Sequence, residues 1–236
     1  MTKLAEALKK PDWQKNVDEL LEQDNLIEAY SSECELLACW VLEFLKHDEK
    51  SPANPFAFQM LSASQHVIAL ASLGLYTPAA GSMRGLFESA LYFLYFRKHP
   101  IELATLIRDP DFYVQKSEIL IFFSKHIPEY QAKQQHFGLN SAIANWYKSV
   151  SSVVHAQIPG SWGGPKDLHS ISQVIDSAKN IAAIHTQAVK IINQLFLLVM
   201  GADLWGSISP TSRKLFLKGY SVEVKKAIGL DILGSV

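Results

Sequence analysis

The sequence has little of what usually announces a function. Only two cysteines, Cys34 and Cys39, occur in 236 residues. They lie five apart in a segment whose periodicity predicts a helix, so they point to different sides and stand too far apart for a disulfide. No second pair exists to complete a zinc site. Both read as small buried apolar residues, and a reducing cytoplasm fits them. Charge of either sign is also scarce: 22 Lys and Arg against 23 Asp and Glu give a formal net charge of −1. That excludes a global attraction to nucleic acid or an anionic membrane, so any such contact must be local. Disorder is excluded as well, because 48% of the residues are hydrophobic and only 19% charged. The polar N-terminus is no secretory signal. The longest apolar stretch, Ile191 to Trp205, is interrupted by Asn193, Gln194, Gly201 and Asp203 and falls short of a membrane span. No Walker loop, Gly-rich dinucleotide turn, H-E-x-x-H or nucleophile elbow occurs. The eight histidines never fall at i,i+4, so no helical metal site has local support. A cytoplasmic protein without metal, cofactor or membrane partner is expected.

What is present is helical periodicity, with no convincing run of alternating strands. Asn25 to Lys50 sets Leu26, Ala29, Leu36, Leu37, Trp40, Val41, Phe44 and Leu45 three and four apart, as an amphipathic helix requires. Ser51-Pro52-Ala53-Asn54-Pro55 breaks it. From Ser51 through Met83 there is no Asp, Glu, Lys or Arg. A helix over Phe56 to Leu73 that is apolar all round predicts a central position in a bundle or an oligomer interface. Thr77-Pro78 reads as the N-cap and first residue of the next helix, which runs to about Lys98 before His99-Pro100. Further helices are predicted over Ile101–Arg108, Phe112–Lys125 behind Asp109-Pro110-Asp111, Ser141–Ala156 and Ser170–Met200. Glu129 to His136 reads as a polar connection, and one or two short helices follow Pro210. The expectation is all-α: one domain over 1–236, a bundle of four or five long helices with its core at about 25–202. Residues 1–24 and 203–236 are then peripheral.

Gly160-Ser-Trp-Gly-Gly164 is too short and too aromatic for a phosphate cradle and reads as a rigid surface turn. His66 and His185, on apolar helices, read as satisfied core histidines. Two constellations stand apart. Arg84-Gly-Leu-Phe-Glu88 places a charged pair at i,i+4 within an apolar stretch. With Arg first, this is the weaker order for stabilising a helix. The pair is therefore either an ion pair that fixes packing or an anion-binding arginine with its partner. In Trp146 to His155, the residues Lys148, Ser151, Ser152 and His155 form a polar helical stripe, with Tyr147 on its edge. Val150, Val153 and Val154 face elsewhere. A cation, hydroxyls and an imidazole on one stripe suit phosphate binding and acid–base work. A solvated face ending in a histidine favoured by the helix C-terminus gives the same pattern.

Together, Arg84-Gly-Leu-Phe-Glu88 (R-x-x-F-E) and Tyr147-Lys-Ser-Val-Ser-Ser-Val-Val-His155 (Y-[RK]-x-[VL]-S-x-x-V-H) resemble the HEPN-like superfamily of helical bundles. The branch that carries both signatures is uncharacterised and bacterial. The Arg97-Lys98-His99-Pro100 exit is similar too, and the resemblance covers about Ala57 to His155. It implies a metal-independent ribonuclease or nucleotide-modifying bundle of a toxin–antitoxin or phage-defence type. Such a protein is homodimeric, binds RNA or a nucleotide, and has an antitoxin or defence-system partner protein. The family's motif, an arginine followed by a histidine after four to six residues, falls on Lys148 and His155. The resemblance thus implies His155 as acid/base, Lys148 in the phosphate-binding place, Ser151 and Tyr147 orienting them, and Arg84, Glu88 and Ser152 as binding residues. Lysine supplies charge but not the bidentate fork of arginine. The other reading is a non-catalytic module that binds a nucleotide or a protein through a dimeric helical surface.

Overall fold

In the computed structural model, residues 2–155 and 167–230 are described. Two short helices, α1 (Lys3–Leu8) and α2 (Trp13–Leu21), lead into α3 (Asp24–His47). Then come α4 (Asn54–Ser72), α5 (Tyr76–Phe96), α6 (Pro100–Arg108), α7 (Lys116–His126), α8 (Tyr130–Phe137) and α9 (Leu139–Val154). The chain continues with α10 (Ile175–Leu204), α11 (Pro210–Phe216) and α12 (Val222–Ala227). Among the described residues there is no strand. The fold is an all-α, single-domain bundle, as the periodicity predicts. The Gly/Pro-dense segment 158–165, and Gly160-Ser-Trp-Gly-Gly164 within it, lie outside the described residues.

The bundle is organised around α5 and α10. Helix α5 packs against α4, α9 and α10, and α3 packs against α4 and α10. Thirteen residues of α5 are buried, Met83, Leu86, Phe87, Ala90, Leu91 and Leu94 among them. Helix α10 is long and apolar enough by length and composition to cross a membrane, but 72% of that stretch is buried inside the bundle. The charge-free α4 is not the central helix. It buries Ala57, Met60, Ala63, Ser64, Val67 and Ala71 on one side. On the other it exposes Gln59, Gln65, His66 and half of Phe58. Neutral polar side chains take the place there that charges take on other helices, so within the single chain the absence of charge does not mean burial on every side. His66 is accordingly exposed, whereas His185 is wholly buried and satisfied. The two cysteines are half-buried rather than buried.

Several boundaries differ from the sequence expectation for local reasons. Thr77 does not cap α5. The helix starts two residues earlier, at Tyr76, which is buried and anchored, its hydroxyl donating to Gln173 Oε1 at 3.0 Å and accepting from Val174 N–H at 2.7 Å. Helix α7 begins at Lys116, not Phe112. Its N-cap Gln115 has its amide held by the Glu118 carboxylate at 2.7 Å, a capping box that overrides the earlier Asp109 turn. The polar stretch 129–136 forms α8, which buries Tyr130 and Gln134, and α9 therefore starts at Leu139 rather than Ser141. Helix α10 starts at Ile175 rather than Ser170, after a 3-10 turn over Leu168–Ser170 capped by Asp167. At the α4–α5 turn Gly74 has φ +77°, and a Cβ there would lie 2.7 Å from the Ser172 carbonyl oxygen. Only glycine meets both conditions.

Buried polar groups tie distant segments. His185 Nδ1 lies 2.5 Å from Glu33 Oε2, and its Nε2 lies 2.9 Å from Ser64 Oγ, joining α3, α10 and α4. Asn16 on α2 donates to the Leu73 carbonyl at 3.1 Å and accepts from Gln173 N–H at 3.0 Å. Trp40 donates through Nε1 to Asn193 Oδ1 at 2.8 Å, and Asn193 donates to the Phe216 carbonyl at 2.9 Å. The Phe216 ring stacks on Trp40 with centroids 3.7 Å apart. Helix α11, expected at the periphery, thus contributes to the core.

Removing both of its bonds should make Asn193→Ala cost about 2–4 kcal/mol, since a buried indole N–H and a carbonyl lose their partner. Urea unfolding checks this. A loss under about 1 kcal/mol would mean that solvent replaces the side chain at that point.

Candidate functional site

The two sequence constellations meet where α5 crosses α9. One face of α5 turns into the bundle, and Arg84 and Glu88, one turn apart, lie on the seam left open beside α9. Helix α9 buries Leu139, Ile143, Trp146, Val150 and Val153, and Trp146 Nε1 donates to the Ile184 carbonyl on α10 at 3.0 Å. That anchoring sets the rotation of α9 and carries Tyr147 and His155 to the α5 edge. His155 is the C-cap residue, its amide bonded to the Ser151 carbonyl at 3.0 Å.

Arg84 is the hub. Its Nε donates to Glu88 Oε1 at 2.8 Å, and its Nη1 lies 3.0 Å from His155 Nε2. Arginine has no acceptor, so a hydrogen bond here needs His155 Nε2 as the acceptor. The Tyr147 hydroxyl donates to the same Glu88 oxygen at 3.1 Å, and the guanidinium carbon lies 5.2 Å from the Tyr147 ring centroid. The hydrogen bond to Glu88 raises the Arg84 pKa above its usual value, against a smaller opposing effect of burial. Burial first, and then Glu88, push the Tyr147 phenol up. The side chains of Arg84 and Glu88 remain 31% and 40% exposed, so the pair is a solvated hub rather than a buried clamp.

Four of the seven candidate residues therefore converge: Arg84, Glu88, Tyr147 and His155. The others do not join them. Lys148 is exposed and forms no ion pair among the described residues. Ser152 turns back to the Ser149 carbonyl at 2.7 Å. Ser151 Oγ is buried and has no hydrogen-bond partner among the described residues. The cation beside the histidine is thus Arg84, 71 positions away in the chain, rather than Lys148 on the same helix.

One participant went unnoticed in the sequence. Lys116, the first residue of α7, sets its Nζ 3.4 Å from the Tyr147 ring centroid. Burial, then the neighbouring Arg84, push its pKa below the usual lysine value. With Arg84, Glu88, Tyr92, Tyr113 and Tyr147 it lines a cleft of about 440 Å³ between α5, α7 and α9. No local motif marks Lys116; a lone lysine after a Pro/Asp turn reads as solvated. No group of three or more His, Cys, Asp or Glu side chains among the described residues could hold a metal ion.

Comparison with protein-family models, with curated proteins and with solved structures finds no match to this chain.

A half-exposed pair contributes little to folding, so Glu88→Gln should change stability by no more than about 1 kcal/mol in chemical denaturation. A loss of about 3 kcal/mol or more would instead mark a structural clamp.

Proposed function

We propose that the protein is a metal-independent ribonuclease of the HEPN-like kind, in which His155 is the acid/base group and Arg84 holds the phosphate. The observation that carries the reading is the 3.0 Å contact between Arg84 Nη1 and His155 Nε2 across α5 and α9. Glu88 and Tyr147 support it by fixing the Nε edge of the guanidinium, which leaves the Nη edge to face an incoming anion. A phosphodiester that takes the Nη groups frees His155 Nε2 as a base. Nε2 then accepts the ribose 2′-hydroxyl proton and the 2′-oxygen bonds to phosphorus. The bond from phosphorus to the 5′-oxygen breaks, that oxygen leaves as a hydroxyl with a proton from water, and the hydroxide so formed takes the proton held on Nε2. The products are a 2′,3′-cyclic phosphate end and a 5′-hydroxyl end. Lys148, exposed near the end of α9, adds positive charge on the approach to the site. In a homodimer two such sites, each weakly charged, would give a more basic surface, and an antitoxin or defence partner would act by covering it.

A second reading, a non-catalytic module that binds a nucleotide, draws support from the cleft beside Arg84, whose tyrosines and lysine suit binding without requiring cleavage.

End-labelled RNA incubated with the protein in EDTA tests the first reading. His155→Ala and Arg84→Ala should each lower cleavage by about 10²-fold or more while leaving the fold intact, and Lys148→Ala should have a smaller effect. Cleavage unchanged in folded His155→Ala would sink it. No cleavage by wild-type protein would favour the second reading.

A further inference from the structure

We infer that the cleft between α5, α7 and α9 holds one unstacked nucleotide of a single-stranded RNA, its phosphate between Lys116 and Arg84 and its base against Tyr113. The choice of RNA rests on the ribonuclease reading; the cleft's own chemistry supplies the rest.

The first argument is charge. Arg84 and Lys116 both approach the ring of Tyr147, at 5.2 and 3.4 Å from its centroid. The one carboxylate lining the cleft, Glu88, is already hydrogen-bonded by Arg84 Nε and the Tyr147 hydroxyl. Two cations and one anion leave a net charge of +1, and Lys116 forms no ion pair among the described residues. Like charges brought together in a half-buried space repel each other and lose hydration, which is the electrostatic complement of a phosphate. Lys116 feels both effects, its affinity for a proton lowered by burial and by Arg84.

The second argument is shape. At about 440 Å³ the cleft is in the range of small-ligand sites and has no room for a helical duplex. Its lining includes Tyr92 and Tyr113, and the Tyr113 side chain, in the turn before α7, is 66% exposed. An exposed aromatic ring beside cations is the arrangement that stacks a splayed base while the backbone is held by charge. Arg84 then serves both places: its guanidinium contacts His155 on the α9 side and lines the cleft on the α7 side. The nucleotide in the cleft thus neighbours the one whose 2′-hydroxyl meets His155, and Lys116 and Tyr113 are positioning residues for single-stranded substrate.

The test is a binding titration of the full chain with a fluorescent 2′-O-methyl oligouridine hexamer, which cannot be cleaved through a 2′-hydroxyl. Duplex RNA of the same length and a phosphoserine peptide serve as competitors. Lys116→Met keeps the apolar stem over Tyr147 and should weaken binding about tenfold or more. Tyr113→Ala, which removes an exposed ring, should weaken it by about 5- to 100-fold. Lys190→Met, on the exposed side of α10, should bind as wild type. Duplex and phosphopeptide should compete poorly. Wild-type affinity in both Lys116→Met and Tyr113→Ala, equal competition by either competitor, or no hexamer binding at all would overturn the assignment. Failure of the two readings is distinguishable. Hexamer binding that needs Lys116 and Tyr113, without RNA cleavage, removes the ribonuclease and keeps the cleft. Cleavage that needs His155 but is indifferent to both residues does the reverse.

Discussion

The burial of α5 is the constraint on which the rest depends. A helix packed against α4, α9 and α10 can carry charge only along the narrow seam those neighbours leave open. Arg84 and Glu88 occupy that seam, where an arginine keeps contact with solvent and still has room for acceptors at its side. It finds them on Glu88 and on His155. The orientation of α9 is then set from two sides, by its apolar face on the core and by Tyr147 and His155 on the α5 pair. Site geometry follows from core packing, because the buried faces of α5 and α9 decide where the seam opens.

The remainder of the bundle handles buried polarity in the same way, with side chains that span elements. Glu33, His185 and Ser64 connect three helices, and Asn193 bridges an indole on α3 and a carbonyl at the end of α11. Such bonds add modest net stability, but they penalise any packing that breaks them, because each buried partner would be left unsatisfied. In a core so rich in interchangeable apolar side chains, these polar links select the register of α3 against α10.

The fold class was legible because helical periodicity and proline punctuation are local signals, and α3, α5, α6 and α10 carry them clearly. Boundaries were lost for two reasons: a tertiary contact of Tyr76 pulls the start of α5 forward, and a local capping box of Gln115 with Glu118 delays α7. Charge counting alone did not place α4 within the chain, because Gln59, Gln65 and His66 are uncharged and yet exposed there. At the site, the local pair Arg84 and Glu88 could be read from spacing, and so could Tyr147 and His155. Their meeting could not, since it depends on how α9 is rotated by Trp146 and its neighbours. The family motif reads its cation and histidine along one helix and so falls on Lys148, and Lys116 escapes notice because its partner is a ring on another helix.

The Asn16 side chain has a bearing on how the chain reaches this state. It joins the first part of the polypeptide to Leu73 and to Gln173, and the latter is 157 positions away. During synthesis α2 leaves the ribosome long before that acceptor's counterpart exists, so its polar anchor is half-made until the segment before α10 has emerged. Closing so long a loop costs chain entropy that only the assembled core can offset. The polar anchor of α2 is therefore complete only once the segment before α10 is in place, although α2 is among the first helices to be made.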